Sequence, residues 1–339
     1  MVSLRDIAVE AGVSEMTVSN VVHNRGRVGE AKRRKVMELV RNMGYRPNRA
    51  ARSIRYQRFD AAGLLLSTDL GRSYLPNPLL SGIHDSLAAR SMHLVLSRLP
   101  DEQLSSPLIV PSLLEELTVD GLLINYTHAI PKPLIEMIQK HSLPAVWINA
   151  NHRYDCVRPD DFGLAAKATK YLVELGHRRI ALADLGVGRD QMEGMHYSRH
   201  ERVEGYRQTM AELGLSGRII QPETLRQTSA ELLAWAVGQF SGLDRPTATI
   251  MQGGYRETHA VLEELKLKVP DDMSMVFFGE TQKNWGRHHL TMASVDEAKL
   301  GSEAVDMLIG KINGPRDPVP SLVLPIGHIV PGETCRPLS

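Results

Sequence analysis

Residues 3–22 read Ser3-Leu4-Arg5-Asp6-Ile7-Ala8-Val9-Glu10-Ala11-Gly12-Val13-Ser14-Glu15-Met16-Thr17-Val18-Ser19-Asn20-Val21-Val22. The apolar spacing in this stretch decides how the chain begins to fold. Leu4, Ile7, Ala8 and Ala11 recur at i, i+3, i+4 and i+7, the mark of one buried helix face. Ser3 stands in a cap position, with Asp6 at capping-box spacing. Gly12 ends this helix, Ser14 can cap a second, and Val18, Val21 and Val22 give the second its apolar side. Beyond the loop Asn24-Arg25-Gly26-Arg27, the spacing predicts a third helix from about Glu30. Val36, Leu39, Val40 and Met43 point inward in that helix, and Gly44 follows its end. A helix, a glycine turn and a second helix form the pattern that seats the second helix in the major groove of DNA.

The distribution of charge fits that pattern. The chain has 339 residues with 40 basic and 39 acidic groups, a net charge of +1. Residues 1–60 hold 13 Lys and Arg against 6 Asp and Glu, a net of +7, which leaves 27 basic and 33 acidic groups, a net of −6, on the rest. A basic segment on an acidic body points to a polyanion-binding module with a separate second function. On the second helix, Asn20 can bond adenine, Glu15 can accept from cytosine, and Met16 or the Thr17 methyl can touch thymine. Ser3, Ser14 and Ser19 suit phosphate oxygens. Lys32, Arg33, Arg34 and Lys35 are expected to anchor the DNA backbone and give a salt-dependent affinity.

From residue 61 the texture changes. Apolar runs at 63–67, 93–97, 121–125, 145–149, 180–184, 247–251 and 274–278 read as strands. Helical runs fall between or after them near 78–91, 132–141, 161–175, 200–213, 229–240, 254–265 and 296–312. This alternation predicts parallel α/β sheets. The length favours two lobes over one very large sheet. The fold class is therefore a small all-α helix-turn-helix headpiece plus a two-lobed α/β body.

Leu4-Arg5-Asp6-Ile7-Ala8, Ala11-Gly12-Val13-Ser14, Thr17-Val18-Ser19-Asn20-Val21-Val22, Gly44-Tyr45-Arg46-Pro47-Asn48 and Ala50-Ala51-Arg52-Ser53-Ile54 together resemble the headpiece of the lactose-repressor (LacI/GalR) family of transcription regulators. The resemblance continues through Glu174-Leu175-Gly176-His177-Arg178-Arg179-Ile180, Arg202 with Glu204-Gly205-Tyr206, Arg245-Pro246-Thr247-Ala248 and Val269-Pro270-Asp271-Asp272. It covers essentially the whole chain. It implies a sequence-specific regulator, expected to be a repressor, that acts as a homodimer on near-palindromic double-stranded DNA. A small-molecule effector, expected to be a carbohydrate, would control it from a cleft of the periplasmic-binding-protein type. The implied domains are a headpiece at 1–47, a hinge helix and linker at 48–60, and a body at 61–339. Lobe 1 of the body would span about 61–158 and 290–320, and lobe 2 about 159–289 and 321–339.

The resemblance implies DNA contacts from Ser3, Arg5, Ser14, Glu15, Met16, Thr17, Ser19, Asn20, His23, Arg33, Tyr45 and Asn48. It also implies a hinge helix over 48–56 that orders on DNA and wedges Ile54, supported by Ala51, into the minor groove. The usual wedge is Leu, and the β-branched Ile54 is stiffer. Family tetramers carry a further C-terminal leucine-rich helix. This chain ends Pro337-Leu338-Ser339, so a dimer is expected.

For the effector the resemblance implies Ser67, Asn125, Asn149, Asp161, Arg202, Glu280 and Trp285. Asn149 stands where many relatives have Asp. An Arg fork and two amides suit a ring of hydroxyls or a carboxylate. Asp160 fits the cleft rim and a structural role equally well. Two departures stand out. Gln252-Gly253-Gly254 replaces the usual Ala-Asn-Asp, and Phe277-Phe278-Gly279-Glu280 replaces the usual Gly-aromatic-Asp-Asp. These predict a specialised pocket, with Tyr126, Tyr255 and Trp285 as alternative stacking surfaces.

Other functions are disfavoured. No GxSxG, Walker A or GxGxxG motif occurs, so an enzyme is not expected; an enzyme or a ligand-binding module without operator control is the alternative reading. Cys156 and Cys335 have no CxxC spacing. His196 and His200, or His288 and His289, could share a metal only with a third ligand that the sequence does not offer. No cofactor and no resident metal are expected. The start, MVSLRDIAVEAG, lacks a signal peptide, and no apolar run is long enough to cross a membrane, so a cytoplasmic protein without membrane partners is expected.

Overall fold

The computed structural model describes residues 2–22, 26–45, 58–69, 71–100, 119–224, 229–279, 284–285 and 288–338. The chain divides into two compact units, Met1–Phe59 and Asp60–Ser339.

The first unit contains α1 (Leu4–Ala11), α2 (Glu15–Val22) and α3 (Glu30–Asn42). Ser3 and Asp6 form a reciprocal capping box on α1. Ser14 Oγ caps α2 by accepting the Thr17 N–H at 3.2 Å. Gly29 caps α3 without a side-chain hydrogen bond. Gly44 and Tyr45 N–H groups close the end of α3 on the Arg41 and Val40 carbonyls. Ile7, Ala8, Ala11, Val18, Val21 and Val36 form the buried core, as the spacing predicts.

The second unit is two α/β lobes. Lobe 1 holds β1 (Ala61–Ser67), α4 (Asn77–Ala88), β2 (His93–Leu99), β3 (Gly121–Asn125), α5 (Lys132–Lys140), β4 (Ala145–Ile148) and β5 (Cys156–Arg158). Lobe 2 holds α6 (Asp161–Glu174), β6 (Ile180–Asp184), α7 (Ser198–Glu212), β7 (Arg218–Ile220), α8 (Ser229–Phe240), β8 (Ala248–Gly253), α9 (Tyr255–Glu264) and β9 (Ser274–Phe278). A two-stranded hairpin, β10 (Asn284–Trp285) with β11 (His288–His289), follows. Then come β12 (Thr291–Ser294), α10 (Glu297–Asn313), β13 (Leu322–Val323) and β14 (His328–Val330).

The two large sheets have equivalent orders, β2-β1-β3-β4-β5-β13 and β7-β6-β8-β9-β12-β14. Every pairing in them is parallel except the antiparallel β12–β14 edge. The central strands β1, β3, β4, β6 and β9 are buried throughout because helices cover both faces, which is why they read as continuous apolar runs. In lobe 1, Leu79, Ile83 and Leu87 of α4 and Leu300, Ala304, Val305 and Leu308 of α10 pack on one face. In lobe 2, Leu164, Ala168 and Leu172 of α6 and Tyr206 and Met210 of α7 do the same.

The sheet pairings shift the expected lobe boundaries. β12 joins the lobe 2 sheet, although 290–320 was expected in lobe 1, and β13 joins lobe 1, although 321–339 was expected in lobe 2. Both strands are too short to show a periodic signal. The chain therefore crosses between lobes at 159–160, 295–296 and 324–327. Two crossovers end in helix caps, where Asp160 Oδ1 accepts the Gly163 N–H at 2.7 Å and Asp296 Oδ1 accepts the Lys299 N–H at 2.9 Å. Among the described residues, no helix is long and apolar enough to cross a membrane.

Candidate functional site

In the headpiece, Glu15 and Met16 are exposed on the first turn of α2, and Met16 is 61% accessible. Thr17, Ser19 and Asn20 are half-buried along the same helix, and Arg5 is exposed on α1. Ser3 and Ser14, expected to meet phosphates, both use their hydroxyls as helix caps. Ser3 Oγ donates to Asp6 Oδ2 at 2.8 Å, and Ser14 Oγ lies 2.9 Å from Thr17 Oγ1. Lys35, expected as a phosphate anchor, also has a partner within the headpiece. Its ammonium donates to the Ala11 carbonyl at 3.1 Å, at the negative end of the α1 dipole. Arg33 is half-buried. Tyr45 packs on the headpiece core, and burial pushes its hydroxyl pKa up. His23, Asn48, Ala51, Ile54 and the hinge helix over 48–56 lie outside the described residues, as does Glu280; so does the Trp285 side chain.

In the body, a cavity of about 440 Å³ lies between the carboxyl ends of the two sheets. Lobe 1 contributes Tyr74, Thr127, Asn149 and Glu297 to its wall; lobe 2 contributes Asp161, His196, Ser198, Arg199, Arg202, Gln252 and Phe278. A larger hollow of about 810 Å³ lies among the flanks of α6, α7 and β14, away from the strand ends. Open parallel sheets bind ligands at strand carboxyl ends, so the smaller cavity is the cleft.

Three of the implied effector residues meet there. Arg202 Nε donates to Asp161 Oδ1 at 2.7 Å, and its guanidinium lies 4.4 Å from the centre of the Phe278 ring. Asp161 is 1% exposed, so this pair is largely desolvated. Asn149 adopts a left-handed backbone, φ 54°. Its Oδ1 accepts from Tyr197 Oη and its carbonyl from His196 Nε2, both at 2.9 Å. Asn149 is thus a lobe-to-lobe clasp as well as part of the wall. Arg158 Nη1 reinforces the clasp by reaching both Glu201 oxygens at 2.7 and 2.9 Å.

Ser67 and Asn125 are not among the cavity-lining residues. Ser67 Oγ accepts the Asp69 N–H, while Asn125 Nδ2 donates to the Tyr74 carbonyl at 2.7 Å. Both fasten the loop that carries Tyr74 into the wall. Tyr126 is fully buried among lobe 1 apolar side chains, the ordinary fate of an aromatic after a strand. Tyr255 is spent on the Phe278 carbonyl at 3.0 Å. Asp160 is the α6 cap.

The structure adds His196, Ser198, Arg199, Gln252 and Glu297 to the wall. Arg199 precedes Arg202 by three residues on α7, so helix spacing puts both on one face. His196 and His200 do not converge, since His200 Nε2 faces the Met192 carbonyl at 3.0 Å. His196 Nδ1 lies 2.7 Å from Ser198 Oγ and accepts the Ser198 N–H at 3.3 Å, which makes Nε2 the donor to Asn149. A neutral imidazole satisfies both bonds, whereas an imidazolium loses one.

Burial drives the His196 pKa down to about 4 from 6.5; Arg202 and His128 push the same way, and the Asn149 bond and Asp161 oppose them. The unfolded chain therefore binds the extra proton first. Above pH 6.5 this group has no effect, and as pH falls from 6.5 towards 4 the body loses ~1.4 kcal/mol per pH unit through it. Urea midpoints at pH 7 and pH 5 should differ more in the wild type than in His196→Gln. Equal differences would remove His196 as the cause.

A helix-turn-helix headpiece and a two-lobed body with a polar interlobe cleft define a ligand-responsive DNA-binding regulator. Residues 3–48 match the pattern described as bacterial regulatory proteins, lacI family, and residues 169–335 match the periplasmic binding protein-like domain. The chain is 27% identical over 332 residues to the HTH-type transcriptional regulator RegA of Clostridium saccharobutylicum, covering 95% of this chain and 96% of that one. It is 26% identical over 332 residues to the ribose operon repressor of Escherichia coli strain K12, covering 93% and 94%. The fold matches a lac repressor dimer solved on operator with the anti-inducer ONPF, with a TM-score of 0.73, 22% identity and 99% of each chain covered. The chain thus pairs a segment that matches the lacI-family pattern with a periplasmic binding protein-like segment, and the relatives that align with more than nine-tenths of it are named as transcription regulators.

Proposed function

We propose that the protein is a cytoplasmic repressor that binds a near-palindromic operator as a homodimer and releases or grips it according to a small polar effector in the interlobe cleft. The carrying observation is the cleft itself, whose wall draws polar side chains from both sheets. Such a ligand binds one relative arrangement of the lobes better than another and so shifts their equilibrium. The family relative named for the ribose operon supports a carbohydrate effector. Residues 48–60 connect the headpiece to the body and are the only covalent route for this coupling.

The test is a gel shift of the full chain on its own upstream DNA at two salt concentrations. Affinity should fall steeply with salt and vanish when residues 1–57 are removed. Asn20→Ala should cost about 1–3 kcal/mol on the preferred site and relax the sequence preference at one position. A shallow salt slope with no sequence preference would refute the operator-binding reading.

A further inference from the structure

The lobe 2 wall of the cleft holds polar groups that no described protein group completes. β6 and β8 flank the point where the lobe 2 strand order reverses, the place where open parallel sheets present ligands. Asp184 ends β6, and Gln252 and Gly253 end β8. Asp184 is 1% exposed, and its Oδ2 accepts from Arg199 Nη1 and, at 3.5 Å, from Gln252 Nε2. Its Oδ1 accepts the Gly186 N–H at 3.2 Å. Gly253 makes room for this arrangement, because a Cβ there would stand 2.6 Å from Asp184 Oδ1. The departure from the family pattern at 252–254 thus coincides with a buried ion pair placed against the cleft.

Asp184 also fixes the Gln252 amide. The Nε2 side must face the carboxylate, since the carbonyl there would meet another oxygen. Gln252 Oε1 is then buried on the cavity wall with no partner among the described residues. Beside it, Arg199 bonds Asp184 through Nη1 alone and Arg202 bonds Asp161 through Nε alone, so several N–H donors of each fork have no described acceptor. Burial and the neighbouring Arg202 charge both press on the Arg199 cation and lower its pKa. The first turn of α7, which carries both arginines, has no side-chain cap. The other carboxylate on the wall, Glu297, begins α10 in lobe 1.

We propose that the cleft selects a hydroxy-carboxylate, a sugar acid of the aldonate or uronate type, whose carboxylate sits on Arg199 and whose neighbouring hydroxyl donates to Gln252 Oε1. The assignment rests on the effector-cleft reading and deepens it. A carboxylate offers four lone-pair sites and no proton, which suits the unfilled guanidinium donors. It cannot satisfy Gln252 Oε1, which needs a donor; a hydroxyl next to the carboxylate supplies one. A neutral sugar leaves the two forks with weaker, uncharged acceptors.

The full-length protein is titrated with potassium D-gluconate, D-glucuronate and D-galacturonate, and with D-glucose and D-galactose as neutral counterparts, by thermal shift and calorimetry. At least one acid should bind about tenfold or more tighter than its neutral counterpart, the worth of one charge-assisted hydrogen bond. The paired variant Asp184→Asn with Arg199→Gln removes both charges and strands neither. It should keep its ligand-free melting temperature and lose about tenfold or more of the acid affinity. Gln252→Leu and Arg199→Lys should lose acid affinity as well, and they carry the test if the paired variant does not fold. Neutral sugars binding as tightly as the acids, or acid affinity unchanged in these variants, overturns the sugar-acid assignment and leaves the effector cleft standing. Melting temperatures unmoved by acids and neutral sugars alike overturn both.

Discussion

Gly82→Ala and Gly310→Ala, two identical substitutions inside helices of lobe 1, should move stability in opposite directions. Gly82 lies on α4 where α10 crosses it, and a Cβ built there overlaps the Ala298 carbonyl oxygen. Gly301 is its counterpart on α10, with a built Cβ 2.6 Å from the Leu79 carbonyl oxygen. The helices therefore approach with backbone against backbone, and an added methyl must force them apart. Leu79, Ile83, Leu300 and Leu308 would then lose contact in the best-buried part of the lobe. Overpacking of this kind costs on the order of 1–3 kcal/mol. Gly310 has nothing within 4 Å of its built Cβ, so alanine there only improves helix propensity, by about 0.5–1 kcal/mol. Urea unfolding of the full chain gives both signs in one experiment. Two midpoints shifted in the same direction would refute the close-contact account.

Arg202→Ala should damage stability and effector response together. It leaves Asp161 almost fully buried without its cation, a loss worth about 3–5 kcal/mol when a buried pair is broken on one side. Arg202→Met combined with Asp161→Asn removes both charges and should recover most of that stability. It should not recover effector binding, because the guanidinium fork is gone from the cleft wall. Melting temperature reads the first effect, and the effector-dependent change in operator affinity reads the second. A double variant that still responds to effector would remove Arg202 from the binding site.

The headpiece was almost fully legible in the sequence. The caps at Ser3 and Ser14, the glycine ends and the inward valines each follow from local rules that need no partner. What sequence could not show is that Lys35 turns back to the Ala11 carbonyl. The body's central strands were legible because burial on both faces leaves an unbroken apolar run. β12 and β13 were not, since a two- to four-residue strand at a lobe crossover carries no period. In the cleft, Arg202 and Asp161 came from family resemblance. His196 was noticed in the sequence only as a possible metal ligand, and its place on the cleft wall was missed because it lies just before α7, outside any helical pattern. Arg199 was within reach of helix spacing once Arg202 was placed. The oddity of 252–254 was visible in sequence, yet its meaning is volumetric: Gly253 matters for the space that Asp184 occupies, and only coordinates show that.

The lobe crossovers have a mechanical consequence. Asp161 and Glu297 are the first residues after two of them, directly behind the caps Asp160 and Asp296. Both carboxylates are on the cleft wall. A molecule that touches them pushes beside the fulcrum rather than at the end of the beam. Such a lever has high gearing, because a small shift at a pivot grows with distance towards the far rims of the lobes.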